Sequence, residues 1–340
     1  MKRIFLLLLV ILCAFCCMAA GDDSAVVGVG GTVKAMKSHP SVRMVSEEVK
    51  IRLYPERYTV NCRFVFKNEG KDTTVQMGFP ENAWGDVRQA KRSRFEYFRT
   101  TVDGAPVKST YQPLPPSEEN EYTGWHIKTV PFKRGQTRVI TVEYASPAGE
   151  ISDGSRFCSY TMHTGSSWKG KIGRAVISAD TGAISRHYTV LSIYPKQTEI
   201  RGNKIIWRFA NLEPVSQNDI SIRFDLKRPV INGRRLKNWE APCRIIGDTL
   251  FMPARALERL KIAKITQGAA SGECLIEYQG RQLKVKAGSQ TAVIDETRSV
   301  RLTRAPVMRN DMLEVPIASV VKTLGGKAWT EQGVLYMEIH

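Results

Sequence analysis

The sequence predicts a multidomain chain in which an all-β sandwich is followed by an α+β domain with two short helices packed on antiparallel sheet. Residues 41–229 contain many short runs with apolar side chains at every second position and almost no helical periodicity, which is typical of a sandwich. After residue 229 a strand–proline–helix pattern occurs twice, which indicates an internal duplication. The length of 340 residues is sufficient for two domains.

The first 20 residues are predicted to be a secretory signal peptide. Two basic residues precede an uncharged apolar run over residues 4–18, which is shorter than the roughly 20 residues of a membrane-spanning helix. Small residues permit cleavage after Ala19 or after Gly21. An uncleaved anchor and lipidation of a nearby cysteine are alternatives. Residues 21–40 follow as an N-terminal segment. We therefore expect an exported protein that is extracellular, at the cell surface or periplasmic.

Residues 49–80 predict three consecutive strands, which are separated at residues 54–56 and 68–71. The middle run, YTVNCRFVF, places Tyr58, Cys62 and Phe66 on one face because side chains alternate along a strand. Cys62 is accordingly predicted to be a buried core thiol.

The remainder of the predicted sandwich contains two turn signals and two further strands. Asp103-Gly104 lies between two strand-like segments and predicts a hairpin. Arg134-Gly135 stands in the same position between WHIKTVPF and TRVITVEYA and predicts a second hairpin. Residues 204–226 supply the last two strands. We place the domain boundary near residue 229, so that the sandwich covers 41–229 and the α+β domain covers 230–340.

The duplicated pattern predicts a strand–helix unit that is present twice. Short strands end at Pro253 and Pro316, which are 63 residues apart, and predicted helices follow over 254–260 and 317–324. A proline at a helix start is tolerated because the first helical N–H groups have no intrahelical partner. Helices this short are marginal alone. We therefore expect both to be held on a sheet by a shared core, and the pattern does not resemble a chemical site.

The carboxy-terminal third contains a series of short motifs in a fixed order. They are Asn232-Gly233, Pro253 with Arg255, Ala287-Gly288-Ser289, and the series Pro306, Pro316 and Leu324-Gly325. In these motifs the region resembles the copper amine oxidase-like N-terminal domain, also called a stalk domain, of bacterial proteins. One departure is Leu260-Lys261, where the family prefers Leu-Gly one position later. The resemblance implies an α+β module of exported or wall-associated proteins that is neither the copper site nor catalytic.

The N-terminal part has a distinctive segment from Tyr160 to Gly173, which includes Trp168. Mainly in this segment it resembles an uncharacterised exported bacterial family that is known only as a domain of unknown function. It implies a β-rich fold and no activity.

The net charge of +17 restricts the possible partners. Nucleic acid is a poor partner for an exported protein, so an anionic cell-wall polymer, a polysaccharide or another surface protein is expected instead. Membrane contact is expected only through the signal segment, if that segment stays uncleaved. A solvated basic surface without a specific partner is the alternative.

The sequence assigns no catalytic, cofactor-binding or metal-binding residue. The chain has five histidines, without an H-x-H or H-E-x-x-H spacing, and therefore lacks the usual metal signatures. The segment FCSYTMHTGSSW contains Cys158 and His163, but in an extended strand residues five apart lie on opposite faces. Cys243 and Cys274 are a possible disulfide, since export permits one.

These observations favour a non-enzymatic protein of the bacterial envelope or the secreted fraction that binds a wall polymer, a polysaccharide or a surface protein. Two alternatives stay open. One is an exported hydrolase that uses Cys158 and His163, and the other is a purely structural spacer.

Overall fold

The structure, a computed structural model, describes residues 24–29, 32–35, 38–82, 94–115, 122–267 and 272–339. The predicted signal peptide and residues 83–93 and 116–121 lie outside the described residues. The chain divides into two compact units. Unit 1 comprises Met1–Glu150, Arg156–Ala183 and Val190–Arg223, and unit 2 comprises Ile151–Ser155, Ile184–Thr189 and Phe224–His340. No helix in the described part of the chain is long and apolar enough to span a bilayer.

The chain from residue 24 to residue 226 is built of strands. Their bounds, in chain order, are β1 (Ser24–Val29), β2 (Thr32–Ala35), β3 (Val42–Leu53), β4 (Arg57–Asn68), β5 (Thr73–Asn82), β6 (Tyr97–Val102), β7 (Ala105–Pro106), β8 (Thr110–Pro113), β9 (Tyr122–Phe132), β10 (Thr137–Pro147), β11 (Gly149–Glu150), β12 (Arg156–Tyr160), β13 (Ile172–Asp180), β14 (Tyr188–Tyr194), β15 (Glu199–Arg201), β16 (Lys204–Leu212) and β17 (Ile220–Leu226). Short 3-10 helices cover His163–Ser167 and Ser216–Asn218.

These strands form three sheets. The largest has eight strands in the order β15-β16-β13-β3-β4-β10-β6-β7. The pairing of β3 with β13 is parallel, whereas β3 with β4 and β4 with β10 are antiparallel. A five-stranded sheet has the order β2-β1-β5-β9-β8, and a four-stranded sheet has the order β11-β12-β17-β14. The predicted all-β fold of this region is confirmed.

The inner face of β4 confirms the predicted alternation. Tyr58, Val60, Cys62, Phe64 and Phe66 are all at most 2% exposed, and the residues between them face outward. Burial of a side chain such as Phe64 stabilises the fold by roughly 2–3 kcal/mol. This strand therefore has one face in the core and one face in solvent, as a sandwich strand must.

One of the two predicted hairpins forms and the other does not. Asp103 and Gly104 join β6 to β7 with φ of 50° and 83°, the left-handed backbone that a two-residue hairpin turn requires. The chain also turns between β9 and β10, but β9 pairs with β5 and β8 whereas β10 pairs with β4 and β6. The prediction of a hairpin at Arg134-Gly135 was wrong because a turn signal does not decide which sheet the next strand joins.

Unit 2 contains the remaining strands and two helices. Helix α1 covers Ala254–Arg259 and helix α2 covers Ile317–Thr323. The strand bounds are β18 (Val230–Ile231), β19 (Arg234–Arg235), β20 (Arg244–Ile246), β21 (Thr249–Pro253), β22 (Lys264–Gln267), β23 (Glu273–Tyr278), β24 (Arg281–Lys286), β25 (Thr291–Ile294), β26 (Arg298–Arg301), β27 (Val307–Arg309), β28 (Met312–Pro316), β29 (Lys327–Glu331) and β30 (Val334–Glu338).

The duplication predicted from sequence lies at the centre of unit 2. A four-stranded sheet has the order β20-β21-β28-β27, so each copy contributes one hairpin and the two hairpins meet at β21 and β28. Each helix begins directly after the proline that ends the central strand of its copy. Leu257 and Val320 are both fully buried in the same hydrophobic core. The prediction of two short helices supported by a shared core is therefore confirmed.

Two further sheets complete unit 2. Strands β22 to β26 form an antiparallel meander, and β19-β18-β30-β29 form a second sheet in which β18 runs parallel to β30. Asn232 and Gly233 form the tight turn between β18 and β19 with φ of 48° and 78°, as predicted. The parallel pair places residues near 230 beside residues near 336, so both ends of the repeat module lie in one sheet.

Candidate functional site

The outer face of the eight-stranded sheet is polar and open. Side chains alternate on β3, β4 and β13, so each strand sends every second residue to this face. Lys50, Arg52 and Lys204 are exposed there, together with the ring of Tyr97, which is 37% exposed. We call this surface the outer sheet face.

Several cations of the outer sheet face are not neutralised by neighbouring acids. Lys50 pairs with Glu48 at 3.0 Å, and Arg52 lies 4.0 Å from Asp180. Within the described part of the chain, no carboxylate lies within salt-bridge distance of five other cations. These cations are Arg63, Lys67, Arg99, Arg174 and Lys204. The face therefore carries an uncompensated positive charge that attracts anions at low salt.

A shallow groove of about 400 Å³ lies on this face. Its walls include Lys50, Arg52 and Lys204, the carboxylate of Asp180 and the ring of Tyr97. The guanidinium of Arg99 lies 5.2 Å from the centre of the Tyr97 ring. A groove with cations, hydrogen-bond acceptors and one aromatic ring provides contacts for acidic and hydroxyl-rich ligands.

The segment that contains Cys158 and His163 differs from the sequence prediction. Strand β12 ends at Tyr160 and His163 begins a 3-10 helix, so the assumption of an extended strand through residue 163 was wrong. Cys158 is 1% exposed, and burial raises the pKa of its thiol far above the ordinary value. Such a thiol is not activated, since the thiolate is the nucleophile.

His163 instead belongs to a hydrogen-bonded group with Asp219 and Tyr122. Its Nδ1 lies 2.8 Å from Oδ2 of Asp219, and its Nε2 lies 3.0 Å from the hydroxyl of Tyr122. A carboxylate only accepts, so Nδ1 carries a proton, and in the neutral ring Nε2 accepts from Tyr122. Oδ1 of Asp219 also accepts the backbone N–H groups of Met162 and His163. The group connects three separate elements of unit 1 and orients one imidazole.

A second polar group is buried inside the sandwich. Tyr160 donates a 2.8 Å hydrogen bond to Oε1 of Glu47, and Sγ of Cys62 lies 3.7 Å from the same hydroxyl. Within the described ranges, Oε2 of Glu47 has no hydrogen-bond partner. Burial raises the pKa of Glu47 to about 7, and the bond from Tyr160 partly opposes this shift because it stabilises the ionised form.

Neither a metal site nor a disulfide is present among the described side chains. No group of three or more His, Cys, Asp or Glu residues in the described ranges is arranged to hold a metal ion. Cys243 and Cys274 are free thiols, and burial raises the pKa of Cys243 to about 12 and that of Cys274 to about 11. The two cysteines therefore act as apolar core groups here.

Sequence reasoning missed the residues that give these groups their chemistry. Asp219 lies 56 positions from His163, and Glu47 lies 113 positions from Tyr160, so no spacing rule connects either pair. One signal was available for Glu47: it lies on the inward-facing register of β3 together with Val49 and Ile51. A carboxylate at such a position indicates a buried polar contact.

Comparison with known proteins identifies one region of the chain. Residues 229–336 match the family model of the copper amine oxidase N-terminal domain, which confirms the resemblance inferred from the duplicated motif. No curated protein matches the chain.

Two solved structures show the degree of structural similarity. A candidate nutrient binding protein from Legionella pneumophila subsp. pneumophila str. Philadelphia 1 has 21% identity and a TM-score of 0.48, over 61% of this chain and 70% of its own. An M1 zinc metallopeptidase from Deinococcus radiodurans has 8% identity and a TM-score of 0.28, over 55% of this chain and 42% of its own. The similarity thus spans less than half of the metallopeptidase. Both TM-scores are below 0.5, and no functional conclusion follows from either.

Proposed function

We propose that this chain, whose residues 229–336 match the copper amine oxidase N-terminal domain, is an exported, non-enzymatic envelope or secreted protein that binds an anionic polymer. The ligand is a cell-wall polymer or an acidic polysaccharide, and the binding surface is the outer sheet face. The observation that carries the proposal is the set of cations on that face without an acidic partner. Binding of another surface protein there is the alternative.

The geometry supports a long ligand rather than a compact one. Neighbouring strands lie about 4.8 Å apart and residues on one face repeat every ~6.8 Å, so Lys204 on β16, Arg174 on β13 and Arg63 on β4 are spread across several strands. A polymer with regularly spaced negative groups contacts such a surface at many points. Tyr97 adds a ring that packs against the apolar face of a sugar.

The direct test measures retention of the full chain on two immobilised acidic polymers, alginate and polyphosphate, with neutral dextran as a reference. We expect retention on an acidic polymer at about 25 mM NaCl and release at about 500 mM, because salt screens exposed charges. Retention on alginate alone indicates a saccharide ligand, and retention on polyphosphate alone indicates a phosphate-rich wall polymer. Absence of retention on both at low salt contradicts the proposal.

Charge variants locate the binding surface. The triple variant Arg63→Gln, Arg174→Gln and Lys204→Gln removes three exposed cations from the outer sheet face. We expect its affinity for the retained polymer to fall by about tenfold or more, equivalent to ~1.4 kcal/mol.

A matched control removes the same charge from unit 2. The residues Arg298, Arg309 and Lys322 are exposed and have no acidic partner among the described residues. We expect their triple replacement by glutamine to change the affinity by less than about twofold, apart from the general effect of net charge. Equal losses in the two triple variants would show that net charge, and not the outer sheet face, causes retention.

Export is tested separately. Expression with the natural leader in a bacterial host, followed by fractionation and N-terminal sequencing, is expected to give protein outside the cytoplasm that begins at Ala20 or Asp22. Protein that begins at Met1 in the cytoplasm contradicts export, whereas Met1 in the membrane fraction indicates the uncleaved anchor.

A hydrolase is the second candidate, and one contact favours it. The bond between His163 and Asp219 orients an imidazole in the manner of a general base. Cys158 is buried, which argues against a hydrolase in which its thiol is the nucleophile. Hydrolysis of a chromogenic ester or peptide that is abolished by His163→Gln and retained by Cys158→Ser would support a histidine-based site. No turnover in the wild type would contradict it.

A further inference from the structure

Unit 2 contains a cavity of about 200 Å³ that neither the family match nor the proposed function explains. Leu226, Leu250 and Leu335 are among its apolar lining residues. Its polar lining residues are His187, Lys227, Asp248 and the three threonines Thr249, Thr303 and Thr330. Every residue that lines it belongs to unit 2. The cavity is therefore a property of one compact unit.

One buried polar atom in this cavity has no hydrogen-bond partner among the described residues. This atom is Nε2 of His187. Oδ1 of Asp248 is 3.6 Å from it, which is too far for a hydrogen bond. Buried polar groups are normally hydrogen-bonded. An unpaired ring nitrogen in a cavity wall is therefore a position at which a ligand gains a hydrogen bond.

The charged groups around the cavity are already satisfied. The ammonium of Lys227 lies 2.9–3.2 Å from three backbone carbonyl oxygens, those of Ser185, Arg186 and Gln332, and has only three N–H donors. The guanidinium of Arg186 lies 3.1 Å from Oδ1 of Asp248. The N–H donors of Lys227 are therefore occupied, and the charge of Arg186 is paired with that of Asp248, so the cavity favours a neutral molecule.

The surroundings of His187 favour the uncharged form of its ring. Burial lowers its pKa most strongly, and the charges of Arg186 and Lys227 also lower it, whereas Asp248 opposes the shift. A neutral imidazole presents Nε2 as either a donor or an acceptor, depending on the tautomer. A hydroxyl group both donates and accepts, so it pairs with either tautomer.

The size of the cavity limits the ligand. A cavity of about 150 Å³ with apolar walls accommodates a benzene molecule. A cavity of about 200 Å³ has room for one ring with a small substituent. We propose that this cavity binds a small neutral molecule with a single-ring hydrocarbon body and a hydroxyl group that hydrogen-bonds to Nε2 of His187.

Binding to the full chain is measured by calorimetry with three probes of similar size. These are phenol, toluene, which lacks the hydroxyl group, and benzoate, which is charged. We expect phenol to bind with a Kd of about 1–10 mM. Toluene is expected to bind about fivefold more weakly, because it lacks the hydroxyl group and one neutral hydrogen bond changes the affinity by about that factor. Failure of phenol to bind at about 50 mM overturns the proposal. If benzoate binds more tightly than phenol, the proposed neutral ligand class is wrong. If toluene binds as tightly as phenol, the proposed hydrogen bond to His187 is wrong.

Two variants and one spectroscopic measurement locate the binding. His187→Phe is expected to abolish the advantage of phenol over toluene, and Leu250→Trp is expected to abolish binding of both by filling the cavity. Leu191→Trp, at a position that is 50% exposed, serves as the control and is expected to leave binding unchanged. If His187→Phe does not fold, the wild-type ¹⁵N spectrum decides: phenol must shift the Nε2 resonance of His187, and an unchanged resonance contradicts the proposal.

Discussion

Met252 and Val315 lie directly opposite each other where β21 pairs with β28. They occupy equivalent positions of the two copies, because each directly precedes the proline of its own copy. On either side of them, Phe251 pairs with Pro316 and Pro253 pairs with Glu314. Phe251 is equivalent to Glu314 and Pro253 to Pro316, so each of these pairs is the counterpart of the other. The duplicated sequence therefore folds with a local twofold relationship centred on this residue pair.

The first prediction concerns the helices that follow this pair. Leu257 and Val320 are equivalent and fully buried in one core, so truncation of either weakens the same unit. We expect Leu257→Ala to lower the free energy of unfolding by about 3 kcal/mol and Val320→Ala by roughly 2 kcal/mol. Chemical denaturation measures both. Leu191→Ala, at an exposed position, is the control and is expected to have a small effect. An effect of Leu257→Ala as small as that of the control would contradict a shared core.

The second prediction concerns the buried carboxyl group of Glu47. Its pKa in the folded protein is raised to about 7 from 4.5, so the folded state binds the proton more tightly than the unfolded state. The stabilisation from this group is complete below about pH 4.5 and is lost as pH rises through about 7, a change of about 3 kcal/mol. We expect Glu47→Gln to flatten the fall of thermal stability over this range. The exposed neighbour variant Glu48→Gln is expected to retain the fall, and identical profiles for both variants would contradict the assignment.

The third prediction uses the hydroxyl group of Tyr160. Its hydrogen bond favours the ionised form of Glu47 and therefore lowers the pKa of that carboxyl group. In Tyr160→Phe we expect the pH-dependent loss of stability to move to higher pH than in the wild type. A shift to lower pH would show that Tyr160 favours the protonated carboxyl group.

The fourth prediction concerns Asp219. Its two oxygens accept the backbone N–H groups of Met162 and His163 and the Nδ1–H of His163. We expect Asp219→Ala to destabilise unit 1 by about 2 kcal/mol and to remove the ¹H signal of the bonded Nδ1 proton. Glu213→Ala, at an exposed carboxylate earlier in the same segment, is expected to change neither observable. Persistence of the Nδ1 signal in Asp219→Ala would contradict the contact.

The fifth prediction concerns the ion pair between Arg244 and Glu314 in unit 2. The carboxylate is 5% exposed and the guanidinium 20%, so Arg244→Ala leaves a nearly buried charge without its partner. We expect a loss of about 3 kcal/mol from that single change, and a smaller loss from the double variant Arg244→Met with Glu314→Leu, because paired removal leaves no buried charge. A double-variant loss equal to the sum of the losses from Arg244→Met alone and Glu314→Leu alone would contradict the coupling.

Local features of the fold were predictable because their causes lie within a few residues. Asp103-Gly104 and Asn232-Gly233 adopt left-handed backbone, which asparagine, aspartate and glycine tolerate best. The alternation in β4 follows from side-chain geometry alone. Pairings between distant strands were not predictable, and the Arg134-Gly135 turn shows why: its turn residues are compatible with either one sheet or two.

The candidate sites depend even more on distant contacts. The sequence showed a basic protein and predicted export. It did not indicate the outer sheet face, because the exposed residues of β3, β4, β13 and β16 lie on one surface only after those strands have paired. The same holds for the cavity beside His187, whose walls come from residues 187 to 335.

By itself, the sequence determined the fold class, the duplicated strand–proline–helix unit and the principal turns, because backbone preference and side-chain periodicity act over short distances. Only the tertiary structure decided that Glu47 is buried and accepts a hydrogen bond from Tyr160, that His163 bonds Asp219, and that His187 faces a cavity. These relationships join residues on different strands and segments, and they arise when burial of the apolar faces brings distant polar groups together.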